Sequence, residues 1–172
     1  LVSRWREYYT EMAARWVDAD PRIRLKWAGP DMSVLSSITA RLMETWAHGQ
    51  AVYDLLGIKR VDTDRIQNIA VLGVNTFKWT FLNRSWTVPD QVPGVELVAP
   101  SGECWSWNES NRDDRVSGSA TEFCQVVTQT RNIADTQLKV SGQIAECWMA
   151  NAQCFAGPPE TPPVAGTRTS IT

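Results

Sequence analysis

Residues 33–57 carry the sequence SVLSSITARLMETWAHGQAVYDLLG, which determines the helical character of the first half of the chain. Its apolar side chains recur at steps of three and four residues, the period of one face of an α-helix. They are Leu35, Ile38, Leu42, Met43, Trp46, Val52, Leu55 and Leu56. Ser33 is a suitable N-cap and Gly57 a suitable helix stop. The pattern predicts one long helix, and it carries His48, the single histidine of 172 residues.

Two further helical patterns flank this stretch. Apolar residues over positions 5–16 recur at helical spacing and predict a helix that ends near Pro21. A third helix is predicted from residue 63 or 64 to about residue 84. Trp16 and Trp46 lie on apolar faces of these patterns, so we expect both in the core.

The period changes after residues 88–94, where two prolines and a glycine interrupt the helical pattern. Apolar and polar residues then alternate over 95–99 and 104–107 around a Pro-Ser-Gly turn, which predicts a β-hairpin. Helices are predicted at about 119–130 and 143–155, with a short strand at 138–140 between them.

These elements predict an α+β fold. We expect a helical region over residues 1–87, a small α/β domain over 92–158, and a disordered tail over 159–172, which is rich in proline, threonine and glycine. A helical pattern is already under way by Trp5, so we expect the chain to be truncated at its N-terminus.

Composition excludes several classes of protein. Lysine and arginine total 17 against 19 acidic residues, and this balance argues against a nucleic-acid partner. No apolar run is long enough to span a membrane and the N-terminus does not resemble a signal peptide, so a cytoplasmic protein is predicted. The four cysteines form no C-x-x-C pair, and buried free thiols are expected.

Glu44 and His48 are the candidate metal ligands. They lie four residues apart, so a helix places both side chains on one face, where they could converge on one divalent ion. A single histidine excludes a site with two histidines built from this chain alone. Two ligands do not make a stable site, and an ordinary surface pair of glutamate and histidine is the alternative.

Four segments carry a resemblance to a known family. They are RLMETWAHGQ at 41–50, APSGE at 99–103, FCQVVTQ at 123–129 and AQCFAGPP at 152–159. Together they resemble actinobacterial metal-binding proteins of the mycothiol-dependent maleylpyruvate isomerase group, within the DinB-like superfamily. The resemblance implies a partial DinB-like helical bundle followed by the small α/β domain. It also implies a divalent metal, usually zinc, for which Glu44 and His48 are two ligands and a histidine from a preceding helix is the first.

The resemblance further implies a function. In this group the metal holds the thiol mycothiol, which serves isomerisation or thiol transfer on a small electrophilic or anionic substrate. The second domain supplies an arginine, for which Arg131 is the candidate catalytic residue and Arg115 the second choice. Relatives often carry an acid where this chain has Ala51. Gln50 or Asp54 could replace that acid, although a salt bridge or a solvated charge is the expectation for Asp54.

Two other functions stay open. The first is a metal-binding or regulatory protein without catalysis. The second is a tRNA-associated module, because residues 95–159 faintly resemble a domain linked to wyosine base formation, and Trp105 and Trp107 share one face of a predicted strand. Acidic residues flank these tryptophans and oppose phosphate binding. An incomplete bundle would also expose apolar helix faces, which favours a homodimer.

Overall fold

The computed structural model describes residues 1–26 and 31–168 and confirms an α+β fold with an N-terminal helical region. The helices are α1 (Val2–Trp16), α2 (Val34–Leu56), α3 (Gln67–Asn75), α4 (Phe77–Leu82), α5 (Ala120–Val127) and α6 (Gln143–Asn151). The strands are β1 (Arg24–Leu25), β2 (Met32–Ser33), β3 (Gly94–Val98), β4 (Cys104–Trp107), β5 (Arg115–Ser119) and β6 (Lys139–Ser141). The chain divides into two compact units, Leu1–Leu42 and Met43–Thr172. The domain division predicted near residues 87–92 stays a prediction.

The first unit contains α1, the antiparallel pair β1–β2 and the first turns of α2. Helix α1 confirms the first helical pattern, but none of its residues is buried, and Trp5 and Tyr8 are exposed. The expectation that Trp16 lies in the core is wrong. Its ring is only half-buried, and the Arg41 guanidinium lies 5.9 Å from the ring centroid.

Helix α2 begins and ends as its sequence predicts. The Ser33 hydroxyl accepts a hydrogen bond from the backbone N–H of Ser36 at 3.0 Å, which caps the first turn. Gly57 has a φ of 62°, a left-handed conformation that glycine adopts at little cost. The N–H groups of Gly57 and Ile58 donate to the carbonyls of Asp54 and Tyr53, at 3.2 and 3.0 Å. These two bonds form a Schellman motif, which satisfies the last carbonyls of the helix.

The third predicted helix is interrupted. A 3-10 turn at Asp64–Ile66 precedes α3, and Thr76 separates α3 from α4 with φ −92° and ψ 10°. The Thr76 hydroxyl donates to the carbonyls of Leu72 and Gly73 at 2.8 and 3.1 Å. A threonine hydroxyl that bonds back to the preceding turn weakens and bends a helix, and the interruption falls at this residue.

A four-stranded sheet lies in the second unit, in the order β4-β3-β5-β6. Strand β3 pairs antiparallel with β4, which confirms the hairpin, and parallel with β5; β6 runs antiparallel to β5. Helix α5 packs against α3, where Gly73 allows the close approach: a Cβ atom there would lie 2.9 Å from Val127. Trp148 of α6 packs against Phe77 and Phe123, with ring centroids 5.2 and 5.9 Å away.

Helix α6 ends at Asn151, four residues before the predicted end. Ala152 is extended, with φ −54° and ψ 136°, and the next residues bond to other elements. The backbone N–H of Cys154 donates to the Val127 carbonyl at 2.9 Å, and that of Gln153 donates to the Thr80 hydroxyl at 3.4 Å. These partners replace the helical ones, so the segment leaves the helix before the glycine at 157.

The described part of the expected disordered tail carries hydrogen bonds. The Asn132 side chain donates to the Pro163 carbonyl at 2.9 Å, and the Gly166 N–H donates to Asp135 at 2.8 Å. Residues 169–172 lie outside the described residues, and the expectation of a disordered tail stays a prediction.

Candidate functional site

Glu44 and His48 meet on the surface of α2. His48 Nε2 lies 3.3 Å from Glu44 Oε2. The side chain of His48 is 85% exposed and that of Glu44 is 52% exposed. Ligand atoms about 2.1 Å from a tetrahedral zinc ion lie about 3.4 Å from each other. The spacing of the pair is therefore compatible with two adjacent ligands of one ion, and carboxylate with imidazole is a donor set that suits zinc.

The described residues do not supply a complete metal site. Within residues 1–26 and 31–168, no three histidine, cysteine or acidic side chains form a group that could hold a metal ion. The pair fits a divalent ion only with a further ligand.

The two faces of α2 have opposite characters. Val52 and Leu55 follow Glu44 and His48 at helical steps and are exposed, so they continue the face of the pair. Trp46 and Gln50, about half a turn away, are both buried. The burial of Trp46 confirms the expectation that this residue lies in the core.

Asp62 fixes the buried face of α2. Its carboxylate accepts hydrogen bonds from the Trp46 indole at 2.8 Å and from the Thr121 hydroxyl at 3.1 Å, and it lies 3.3 Å from the Arg60 guanidinium. Arg60 also donates to the Trp46 carbonyl at 2.7 Å, and its guanidinium lies 4.9 Å from the centroid of the Trp46 ring. The sequence pattern does not point to Asp62, because this residue lies in a polar connection with no periodicity.

Arg131 forms a buried ion pair with Asp54 of α2. Its Nη1 and Nη2 donate to the two carboxylate oxygens at 2.7 and 2.5 Å, and the Arg131 side chain is 2% exposed. The expected salt bridge of Asp54 is thus confirmed. The assignment of Arg131 to substrate binding stays a prediction. In this structure its guanidinium donates to the Asp54 carboxylate and to the Thr130 carbonyl.

The ion pair controls the ionisation of Asp54. Burial raises the pKa of this carboxyl, but the hydrogen bonds from Arg131 and Gln50 and the charge of Arg131 outweigh burial. The pKa of Asp54 therefore lies below its ordinary value, and the carboxylate stays charged at neutral pH.

Two clefts lie in the second unit. Cleft A, of about 160 Å³, lies between the end of α2 and α5. Its lining includes Gln50, Tyr53, Asp54, Lys59, Glu122 and Gln125. Cleft B, of about 240 Å³, lies against the sheet and is lined in part by Glu96, Cys104, Trp107, Arg112 and Arg115. Glu44 and His48 line neither cleft.

The second arginine candidate lies in cleft B. Arg115 Nη2 donates to Glu96 Oε2 at 3.0 Å, from β5 to the neighbouring strand β3. Trp105 is buried, while Trp107 is half-buried and lines the cleft. The two tryptophans therefore do not form an open pair of stacking surfaces.

The four cysteines are free, as expected, but they are not all buried. Cys124 and Cys154 are buried, Cys147 is half-buried and Cys104 is exposed, because Cys104 lies on the outer face of the edge strand β4. Burial raises the pKa of the Cys124 and Cys154 thiols well above the ordinary value. These two thiols are therefore not nucleophiles in the folded protein.

The described residues include no helix with the length and apolar character needed to cross a membrane.

Comparison with known proteins supports the resemblance for the N-terminal segment. Residues 1–53 match the family described as the mycothiol maleylpyruvate isomerase N-terminal domain, and both Glu44 and His48 lie inside this match.

The longer similarity is to proteins without an assigned function. Over 159 residues, 92% of the chain, the sequence is 43% identical to proteins from two strains of Mycobacterium tuberculosis, each described as an uncharacterized protein. The chain spans 62% of the length of these relatives. No solved structure matches it significantly.

Proposed function

We propose that Glu44 and His48 are two ligands of a divalent metal site, with zinc as the metal, in a mycothiol-dependent isomerase or thiol transferase. The observation that supports this most directly is the 3.3 Å separation of Glu44 Oε2 and His48 Nε2 within the segment that matches the isomerase family.

A zinc ion at this position would supply a Lewis acid that holds a low-molecular-weight thiol as its thiolate near neutral pH. His48 would bind through a neutral imidazole nitrogen and Glu44 through its carboxylate. A further protein ligand is needed, which the described residues do not supply.

The surroundings of the pair suit such a role. Val52 and Leu55 extend the exposed face with apolar surface, which would keep water away from a thiol once that face is covered. On the buried face, the Trp46 indole donates to the Asp62 carboxylate at 2.8 Å, and this contact favours one orientation of α2 about its axis. The two ligand side chains therefore start from a fixed backbone, which lowers the cost of organising the site.

The substrate in this proposal is a small electrophilic or anionic molecule, and the thiol partner is mycothiol. Arg131 would contribute to holding an anionic substrate only after release from Asp54, from which its nitrogens lie 2.5 and 2.7 Å away.

Metal binding is tested by zinc titration of the chain and of Glu44→Gln and His48→Gln. We expect each substitution to weaken zinc binding at least about tenfold, since each removes one of the two proposed ligands. Glu146→Gln is the matched control, because Glu146 is also an exposed glutamate on a helix. Zinc affinity that is the same in all four proteins would contradict the site.

Catalysis is tested separately, with zinc-loaded protein and mycothiol. Isomerisation of maleylpyruvate, or transfer of the thiol to an electrophile, should require both zinc and mycothiol and should be lost in His48→Gln. Zinc binding without such turnover would identify a metal-binding protein that is not catalytic.

A further inference from the structure

The pair of Glu44 and His48 is a metal site that one chain does not complete. No third histidine, cysteine or acidic side chain joins the pair within residues 1–26 and 31–168. The other positions, 27–30 and 169–172, carry none of these residue types in the sequence. Because His48 is the single histidine of the chain, a second imidazole ligand has to come from another chain. A metal ion held by this pair therefore takes its other protein ligands from outside the chain.

The pair lies on an open face of α2. Both side chains are exposed, and the face continues through Val52 and Leu55, which are 57% and 84% exposed. The four residues follow one another at steps of four, four and three positions, so they form one stripe along the helix. A partner can therefore reach the ligand atoms without displacing packed side chains.

Two copies of the pair make one tetrahedral site. A two-fold axis through the ion places two carboxylates and two imidazoles around it, and both copies contribute the same residues. The distance of 3.3 Å between Glu44 Oε2 and His48 Nε2 is close to the roughly 3.4 Å between neighbouring ligand atoms of a tetrahedral zinc ion. Each copy therefore supplies one edge of the tetrahedron, and together they supply four ligands.

Charge makes this arrangement depend on the ion. Two Glu44 carboxylates cancel the two charges of a zinc ion, while the imidazoles bind as neutral groups. Without the ion, the two carboxylates would face each other and repel.

The apolar contact is too small to hold two copies together by itself. One face of the 23-residue helix α2 presents about ten residues. Each side of a stable protein interface usually contributes about 20 to 30 residues. The contact should therefore form with the metal and be lost without it.

We propose that two copies of this chain share one zinc ion, which is bound by Glu44 and His48 of both copies. The inference rests on the proposed function, because it takes Glu44 and His48 as zinc ligands, and it identifies the missing ligands as the same two residues of a second copy. Val52 and Leu55 flank the ion and are covered by the partner's α2. Thiol binding would use a fifth position on the ion or the place of one released carboxylate.

Zinc stoichiometry and molecular mass test the shared site together. Zinc is titrated into the metal-free chain by calorimetry, and light scattering gives the mass in solution before and after the titration. We expect one zinc ion per two chains and a mass that rises from 19.3 kDa to twice that value. Removal of zinc with a chelator should return the monomer.

Leu55→Arg separates the contact between the copies from the ligands. The variant keeps Glu44 and His48 but places a charge in the apolar contact, at a position that is exposed in the single chain. We expect no zinc-dependent dimer and zinc binding at least about tenfold weaker, because the ion then has two protein ligands instead of four. Leu82→Arg is the matched control, since Leu82 is also an exposed leucine on a helix, and it should dimerise with zinc as the wild type does. Circular dichroism checks the fold of both variants.

The outcomes distinguish this inference from the proposed function. Zinc binding that is absent, or unchanged in Glu44→Gln and His48→Gln, would overturn both. Zinc binding that depends on these residues, with one ion per chain and a mass that stays at 19.3 kDa, would overturn the shared site alone. A dimer that forms equally without zinc, or equally in Leu55→Arg, would also overturn the shared site.

Discussion

Asp54 and Arg131 are 77 positions apart in the sequence, yet they form a bidentate ion pair with nitrogen-to-oxygen distances of 2.5 and 2.7 Å. The pair joins the last turns of α2 to the segment after α5. Because the Arg131 side chain is almost entirely removed from water, neither charge can be lost without consequence for the other.

Removing one partner should destabilise the protein strongly. Asp54→Asn leaves the Arg131 charge buried without a counter-ion, and we expect a loss of about 3 kcal/mol in the free energy of unfolding, measured in urea. The double variant Asp54→Leu, Arg131→Met should recover much of this loss, because it removes both charges. Equal destabilisation in single and double variants would show that the ion pair is not the cause.

The same pair makes stability depend on pH. The folded-state pKa of Asp54 is depressed, so its contribution is fully present above the unfolded-state pKa of about 3.9 and is lost as the pH falls through the folded-state value. Between neutral pH and about pH 3, the wild-type protein should therefore lose more stability than Asp54→Asn does. Urea unfolding of both proteins over this range measures the difference, and parallel curves would contradict the assignment.

Replacing Gly73 or Gly49 with alanine should change the stability of the protein in opposite directions. At Gly73 a new Cβ would lie 2.9 Å from Val127 and 3.0 Å from Phe123, and we expect a loss of about 1 to 2 kcal/mol from overpacking. At Gly49 the nearest atom is Arg60 Nη1 at 3.6 Å, an ordinary contact, so Gly49→Ala should gain up to about 1 kcal/mol from helix propensity. Thermal or urea unfolding of the two variants gives the comparison, and equal effects would argue against close packing at Gly73.

The cysteines should differ in their reaction with a thiol reagent such as Ellman's reagent. Cys104 is exposed and should react first, whereas Cys124 and Cys154 are buried with raised pKa values and should react only on unfolding. Cys104→Ser should remove the fast phase. A fast phase that persists in this variant would have to come from Cys147, which is half-buried.

Sequence patterns predicted the regular elements well where local chemistry determines them. Ser33 and Gly57 set the ends of α2, and the alternation over 95–99 and 104–107 predicted the hairpin β3–β4. The predictions failed where a side chain or a distant helix competes with the local pattern. The predicted third helix is interrupted at Thr76, whose hydroxyl bonds back to the preceding turn. The segment after Asn151 leaves α6 because Val127 and Thr80 offer other hydrogen bonds.

For the candidate site, helical spacing was sufficient to bring Glu44 and His48 together on one face. It could not reveal that Asp62 holds Trp46, or that Arg131 pairs with Asp54. These features depend on residues that the fold brings together from separate parts of the chain, and single-sequence periodicity contains no information about such contacts.

The Schellman motif that ends α2, together with the contacts around it, limits where this chain could be joined to another protein in a chimera. The family match ends at residue 53, inside α2 and one position before Asp54. A chimera joined at that position would separate Trp46 from Asp62 and Gln50 from Asp54, and would omit the Gly57 helix stop. A transferable segment would have to extend at least through Asp62, so the segment that matches the family is shorter than the segment that could be exchanged.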